Sequence, residues 1–198
     1  SNITISDCTF DNNIKFGIFF QLGNLDSTSS AVSASISGCT VNESFNGIKI
    51  SLINEGVAAE ISVENTIVKN TEQCAFFIYS CAHDGVLIDI NNCTIESPND
   101  TNNGYGAIYI AASAVFKTGN IIIDNIHIFK SKSPYAVRLA GGTPDCMIED
   151  VTGIIYSDQA DAVIFDTSYS QNISLTLRRL NVSFAGAFSS DVDNIGGT

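Results

Sequence analysis

The sequence predicts an all-β solenoid in which about seven coils, each made of three short strands, stack along one axis. One observation is a unit of alternating apolar residues that recurs seven times along the 198 residues. Another is that each copy ends one strand at a residue suited to a sharp turn. A third is that no segment keeps the 3.6-residue periodicity that a helix requires. We therefore interpret residues 1–198 as a single β-domain.

The clearest copy of the unit spans residues 85–110. Apolar residues alternate with others along 86–90, so one strand points three apolar side chains to the same side. Asn92 ends that strand, and a second short strand follows at 93–95. After a loop rich in Ser, Pro, Asn, Asp and Gly, residues 107–110 form a third strand. Each strand is too short to bury its apolar side alone, which favours stacking of successive copies.

The copies can be aligned on the inward residue that precedes each corner. These anchors lie 25 to 33 residues apart, so the loops vary in length while the strands keep theirs. Two further inward columns follow three and five positions later, and only Gly153 breaks the second of them. This recurrence predicts parallel stacking of each strand on its own copy, whereas an antiparallel sandwich would need hairpins. The anchors are Ile5, Ile36, Val63, Ile90, Ile123, Ile148 and Leu177.

The corner residue, two positions after each anchor, carries the most specific signal. Six of the seven are Asn, Asp or Gly, which adopt a left-handed backbone or bond their own main chain at turns. Arg179 is the exception, and it makes the last coil the least regular. The corner residues are Asp7, Gly38, Asn65, Asn92, Asn125, Asp150 and Arg179.

The third strand of each copy opens with a small residue, Gly or Ala, that an inward apolar residue follows. Because side chains alternate along a strand, the position of this inward residue decides which side chains of the strand face outward. The pairs are Gly17-Ile18, Gly47-Ile48, Ala75-Phe76, Ala107-Ile108, Ala136-Val137, Ala162-Val163 and Ala187-Phe188.

These columns, which cover nearly the whole chain, resemble the right-handed parallel β-helix of the pectin-lyase-like superfamily. The Asn residues at the corner resemble the asparagine ladder of that family. The resemblance implies that the strand opening with Gly or Ala is the first of each coil and that saccharides would lie along its outward face. The same fold serves pectinolytic lyases, polysaccharide hydrolases, phage tailspikes and adhesins, so the resemblance leaves the function open. The NTD, DD, HG and RIK set of polygalacturonases has no match here.

Charge and composition limit the partners. With 21 acidic and 9 basic residues the net charge is −12, so the chain would repel the phosphates of nucleic acids. No apolar run is long enough to insert into a membrane. Because neither end carries a capping helix, we expect an excerpt of a longer protein or ends covered by a partner, as in a homotrimer. We expect an extracellular, cell-surface or virion location, with a polysaccharide or cell-surface glycan as the partner.

Three of the six cysteines, Cys8, Cys39 and Cys93, share the inward column three positions after the anchor. Neighbouring side chains in such a column point the same way, which opposes the χ3 near ±90° that a disulfide needs. We expect buried thiols packed as small apolar residues rather than bridges or metal ligands. The pattern assigns no state to the remaining three, Cys74, Cys81 and Cys146.

Outward residues of the first strand define the candidate binding site. Phe77, Tyr79 and Tyr109 place aromatic rings in adjacent coils, and Lys49 and Arg138 border them. Aromatic rings stack on sugar rings, and the cations would meet uronate or sialate carboxylates. The competing interpretation is that long loops cover this patch and bury it.

Support for catalysis is thinner along the same columns. Hydrolysis of a glycoside needs two carboxylates about 5 to 9.5 Å apart, and the columns offer Asp166, with Asp161 or Asp158 in the preceding loop. Arg138 is suitably placed as the base of a lyase, but no acidic cluster for Ca²⁺ accompanies it. Asp166 and Arg138 are therefore the candidate catalytic residues.

We predict no cofactor and no metal site, because His127 faces outward far from the other histidine, His83, which lies in a loop. The leading hypothesis is polysaccharide recognition along the first-strand sheet. The alternatives are an active polysaccharide lyase or glycoside hydrolase, and a structural rod or adhesin segment. An acidic column on the second strand is interpreted as a solvated ladder of ion pairs; its members are Glu64, Asp124, Glu149 and Arg178.

Overall fold

In the part of the chain that it describes, the computed structural model contains fifteen strands and no helix. The strands are β1 (Asn2–Ser6), β2 (Thr9–Leu22), β3 (Val32–Ser37), β4 (Thr40–Leu52), β5 (Ala59–Glu64), β6 (Ile67–Thr71), β7 (Phe76–Tyr79), β8 (Val86–Glu96), β9 (Ile108–Ala112), β10 (Asn120–Ser131), β11 (Tyr135–Gly141), β12 (Cys146–Ile155), β13 (Asp161–Asp166), β14 (Leu175–Arg178) and β15 (Asn181–Phe184). The described residues are 1–22, 31–52, 58–79, 86–96, 98, 105–112, 120–131, 135–141, 146–155, 161–166 and 175–184.

The pairings between these strands are parallel, and each strand lies beside its counterparts in the neighbouring copies. The central anchor, Ile90, lies opposite Val63 on one side and Ile123 on the other. The same register links all seven anchors in one stack. The chain is therefore a parallel β-helix, or β-solenoid, and the predicted fold class is confirmed.

The continuous core covers about four turns, the second to the fifth copies. In those turns the anchor, the two columns that follow it and the inward residues of the first strand are all buried. Ile5 in the first copy and Leu177 in the last are only partly buried. Among the described strands, β1 and β14 each have a neighbour on one side only. The anchors of all seven predicted copies thus form one paired stack, but the solenoid with a fully covered interior has about four turns and not the seven coils predicted.

All seven corner residues have a left-handed backbone, with φ between 48° and 61°. Side chains also join neighbouring corners: Asn92 Nδ2 donates to Asn65 Oδ1, and Asn125 Nδ2 donates to Asn92 Oδ1 at 2.9 Å. Arg179, the exception among the corner residues in sequence, has the same left-handed backbone, with a φ of 48°. Its guanidinium donates to Asp150 from Nε at 2.5 Å and from Nη2 at 2.8 Å. This bidentate ion pair takes the place of the amide ladder at the last corner.

Close contact between successive turns explains the small residues that open the first strand. A Cβ on Gly47 would overlap Val68 Cγ1 of the next turn and lie 2.5 Å from the Ala75 carbonyl oxygen. The break at Gly153 has a related cause. Its φ is 154°, and a Cβ there would overlap the carbonyl oxygen of Ile128 in the preceding turn.

The inward column of cysteines holds free thiols, as predicted. Cys39 and Cys93 are buried and Cys8 is half-buried. Each buried thiol donates to the carbonyl two residues earlier: Cys39 Sγ to Ser37 O at 3.3 Å, and Cys93 Sγ to Asn91 O at 3.2 Å. Burial raises the pKa of Cys93 to about 11. The thiols therefore pack as apolar groups and also satisfy a carbonyl at the corner.

Cys74 precedes β7 and is buried, and its thiol donates to Asn46 Oδ1 at 2.9 Å. Cys81 and the side chain of Cys146 lie outside the described residues.

Candidate functional site

The outward columns of the first strand have the register that the sequence predicts. Lys49 lies opposite Phe77, Phe77 opposite Tyr109, and Tyr109 opposite Arg138. In the second column, Tyr79 lies opposite Ala111. The four predicted binding residues and Arg138 therefore lie on four adjacent strands, β4, β7, β9 and β11.

Four aromatic residues on this face form a connected cluster, which we call the aromatic face: Phe77, Tyr79, Tyr105 and Tyr109. The ring centroids of Phe77 and Tyr109 are 5.2 Å apart, and those of Phe77 and Tyr79 are 6.3 Å apart. Tyr105 packs edge-on against Tyr109 at 4.8 Å and lies 6.2 Å from Phe77. These tilted and edge contacts are geometries that aromatic pairs prefer, so the rings support one another.

A cation lies at each end of the aromatic face. Lys49 Nζ is 4.7 Å from the ring centroid of Phe77 and 5.0 Å from that of Phe16. Arg138 Cζ is 5.7 Å from the ring centroid of Tyr109. Burial lowers the pKa of Lys49, an effect that the nearby Cys74 opposes in part. The cations are thus held in place by rings beneath them.

The rings of the aromatic face differ in exposure. Tyr105, shortly before β9, packs against Tyr109 and Phe77, which are both half-buried. Tyr79 remains 40% exposed. Beside it, Ala111 and Ala140 continue the column as small residues. Along this column an exposed aromatic side chain, Tyr79, is therefore followed by two small side chains.

The two candidate catalytic residues lie on this side of the solenoid but in different columns. Arg138 lies opposite Ile164 in the first column, whereas Asp166 lies opposite Ala140 in the second. The side chains of Asp161 and Asp166 lie outside those that the structure describes, as does Asp158 altogether. Catalysis by Asp166 and Arg138 therefore stays a prediction.

The acidic second-strand column has the predicted register on a different face. Glu149 lies 3.0 Å from Arg179 Nη2 and 3.9 Å from Arg178 Nη1, which makes an ion-pair cluster at the end of the stack. Next to this column, burial raises the pKa of Asp89, with a further contribution from Glu64 and Asp124. The column is therefore a row of ion pairs at one end and of mutually repelling carboxylates in the middle.

Sequence reasoning missed two members of the site, Phe16 and Tyr105. Phe16 follows a register shift between residues 13 and 16 of β2, so counting from the inward residues does not reach it. It packs against Phe19 with 4.9 Å between ring centroids. Tyr105 lies in a loop, where no periodicity reports its direction. Its proximity in sequence to Tyr109 was the one available signal.

The predicted absence of a metal at His127 stays a prediction. The imidazole Nδ1 is 3.0 Å from Thr152 Oγ1, and His83 lies outside the described residues. Within the part of the chain that the structure describes, no three His, Cys, Asp or Glu residues are grouped to hold a metal ion. The same part contains no helix that is long and apolar enough to cross a membrane.

Fold and site together define the class of the protein: a parallel β-helix that carries an aromatic and cationic patch on the outward side of one strand stack. No family model, no curated protein and no solved structure matches the chain.

Proposed function

We propose that the protein binds a polysaccharide or cell-surface glycan along the aromatic face, as an exported or virion β-helix of the pectin-lyase-like type would. The observation that carries the proposal is the alignment of Phe77, Tyr79 and Tyr109 on adjacent outward positions, with Lys49 and Arg138 at the two ends. Flat rings stack on the apolar faces of sugars, and a row of rings suits a chain of them.

The cations favour a glycan that carries carboxylates. The protein has a net charge of −12, so an anionic ligand meets general repulsion. Lys49 and Arg138 oppose that repulsion locally, since both lie over rings of this face. A guanidinium pairs with a carboxylate in a fixed fork geometry. We therefore expect uronate- or sialate-containing glycans to bind more tightly than neutral glycans of the same length.

The exposure of Tyr79 separates this proposal from a purely structural role. Phe77 and Tyr109 are half-buried and contribute to packing, but Tyr79 is 40% exposed. Because Ala111, which lies opposite Tyr79, is a small residue, we expect a sugar ring to fit against the exposed side of Tyr79. Tyr79 is thus the residue whose removal should affect binding with the smallest effect on folding.

A glycan panel that includes uronate- and sialate-containing oligosaccharides tests the proposal. The expected result is retention of an acidic glycan, weakened about tenfold or more in Tyr79→Ala, which corresponds to about 1.4 kcal/mol. Phe129→Ala is the matched control, because Phe129 is an equally exposed ring, at 38%, on another strand stack. Lys49→Met should reduce the preference for acidic over neutral glycans while keeping an apolar stem between the rings.

The same incubation distinguishes binding from catalysis. New reducing ends would indicate a glycoside hydrolase, and unsaturated ends would indicate a lyase. Equal binding by the wild type, Tyr79→Ala and Phe129→Ala would refute the aromatic face as the site. Loss of folding in Tyr79→Ala, seen as an early thermal transition, would mean that the ring belongs to the core.

A further inference from the structure

A recess separate from the aromatic face, which we call the corner groove, lies near the N-terminal end of the stack. It is a cavity of about 320 Å³ where the chain turns from the third strand to the first in the first three copies. Its lining includes the carboxylates of Glu43 and Glu72, the amides of Asn12 and Asn70, and Ile14. Ile14 is 92% exposed. The recess therefore combines several oxygen acceptors with one apolar side chain, and none of the described residues that line it is cationic.

Strand register brings these groups together. Ser44 lies opposite Asn13 in the preceding turn and Thr71 in the following one. Glu72 is held at the same corner, because its N–H donates to Ser44 O at 2.9 Å. The stacking that builds the core thus also aligns polar side chains from three turns along one corner.

The corner groove contains a buried hydroxyl with no hydrogen-bond partner. Ser44 lines the cavity and is 3% exposed, and among the described residues its Oγ has no partner. Asn13 Nδ2, in the same wall, is also buried without a partner. A buried polar group of this kind is costly unless something bonds to it. A ligand in the recess would supply that bond.

The orientation of the amides adds acceptors. Asn70 Nδ2 donates to Asn42 Oδ1 at 2.8 Å, and Asn42 Nδ2 donates to Asp11 Oδ1 at 2.6 Å. This side-chain ladder uses the Asn70 nitrogen, so its Oδ1 is left to accept. Acceptors on Asn70, Glu43 and Glu72 therefore stand beside donors on Asn13 and Ser44.

This mixture of donors and acceptors fits a hydroxylated, uncharged ligand. A sugar hydroxyl both donates and accepts, whereas a bare cation satisfies acceptors only. An anion would meet the charges of Glu43 and Glu72 with no cation in the lining. The exposed side chain of Ile14 would cover the apolar face of a sugar ring.

We propose that the corner groove binds a single uncharged sugar unit or similar polyol, with Glu43 and Glu72 accepting from its hydroxyls and Ser44 contributing a hydrogen bond from the floor. This site goes beyond the aromatic face and has the opposite charge preference. The aromatic face should favour acidic glycans, whereas the corner groove should reject them.

Titration of the ¹⁵N-labelled chain with glucose, galactose, N-acetylglucosamine and glucuronate tests the proposal. At least one neutral sugar should shift the amide resonances of residues 12–14, 43–44 and 70–72, with a Kd of about 1 to 10 mM. Glucuronate should leave these resonances unchanged. Shifts confined to the strand stack of the aromatic face would leave the proposed function standing and overturn this one.

Ser44→Ala provides the sharpest variant. It should weaken sugar binding by about threefold to tenfold, yet leave the unfolding midpoint equal or higher, because it removes an unsatisfied buried hydroxyl. Thr71→Val is the matched control. Thr71 is also buried with an unpartnered Oγ1, but it does not line the cavity. This control should therefore leave sugar binding unchanged.

Glu72→Gln provides a second variant that should not affect folding, because the Glu72 side chain is exposed. It should also weaken binding of the neutral sugar. Equal effects of Ser44→Ala and Thr71→Val on sugar binding would refute the proposed hydrogen bond between Ser44 and the sugar. Titration with CaCl₂ is the last arm: shifts at the same amides with calcium, and none with any sugar, would make the recess a cation site and refute the proposal.

Discussion

Truncation of Ile90 to alanine tests whether the turns are stacked as described. Ile90 is fully buried, with Val63 on one side and Ile123 on the other. The substitution removes three buried carbons, at about 0.8 kcal/mol each for transfer alone. The cavity left between two packed turns adds to this cost, so we expect a loss of about 3 to 4 kcal/mol.

The loss of stability should be smaller at the end of the stack than in its middle. Leu177 is partly buried and, among the described strands, has a neighbour on one side only, so Leu177→Ala should cost about 1 to 2 kcal/mol. Ile67→Ala is the matched surface control, because Ile67 is 42% exposed and points outward. It should change stability by no more than about 0.5 kcal/mol.

Guanidinium unfolding followed by far-ultraviolet circular dichroism measures these differences. The unfolding midpoint should be lowest for Ile90→Ala, intermediate for Leu177→Ala and highest for Ile67→Ala. The slopes should be similar if the solenoid unfolds as one unit. Equal losses at Ile90 and Ile67 would refute the inward and outward assignment. Equal losses at Ile90 and Leu177 would refute the stacking order.

Three other experiments probe the corner, the thiols and a carboxylate next to the acidic column. Asn92→Ala should cost about 1 to 2 kcal/mol in urea, because it loses two ladder bonds and a residue suited to φ 51°; Asn92→Gly should cost less, and a neutral Asn92→Ala would contradict the ladder. Alkylation with peptide mapping should label the half-buried Cys8 before the buried Cys39; equal native rates would place the column on the wrong face. Burial raises the pKa of Asp89, so the folded protein binds a proton at Asp89 more readily than the unfolded chain does. The stability of the wild type should therefore rise as the pH falls from neutral through the pKa of Asp89 in the folded protein. Asp89→Asn should therefore gain a few tenths of a kcal/mol at pH 7 after solvent screening, and a gain that persists below pH 3.8 would rule out this cause.

The sequence predicted the features that repeat. Alternation of apolar residues set the inward columns, and the same phase placed Phe77 and Tyr109 outward, where they are found. The corner was predictable because Asn and Gly occupy left-handed backbone with little strain. Each of these patterns is weak in a single copy, but its recurrence in seven copies made the prediction possible.

What the sequence could not supply are contacts that depend on neighbours in space. Arg179 suits no left-handed corner by itself, and it is stabilised there by Asp150 of the preceding turn. Tyr105 lies outside the repeating strands, so the period of the repeat does not predict its contact with Tyr109. The unpartnered hydroxyl of Ser44 appears only when three turns are stacked, because nothing in its own strand marks it as buried.

The position of the aromatic face depends on hydrogen bonds at the start of the first strand. Gly47 N–H donates to Cys74 O at 3.0 Å, Ala75 N–H donates to Ala107 O at 2.8 Å, and Ala107 N–H donates to Tyr135 O at 2.8 Å. These bonds connect four successive turns immediately before the outward residues begin. Since a slip of one residue would turn every ring inward, they fix the phase on which the face depends. A site presented by paired strands is also largely preorganised, so glycan binding would need little ordering of the backbone.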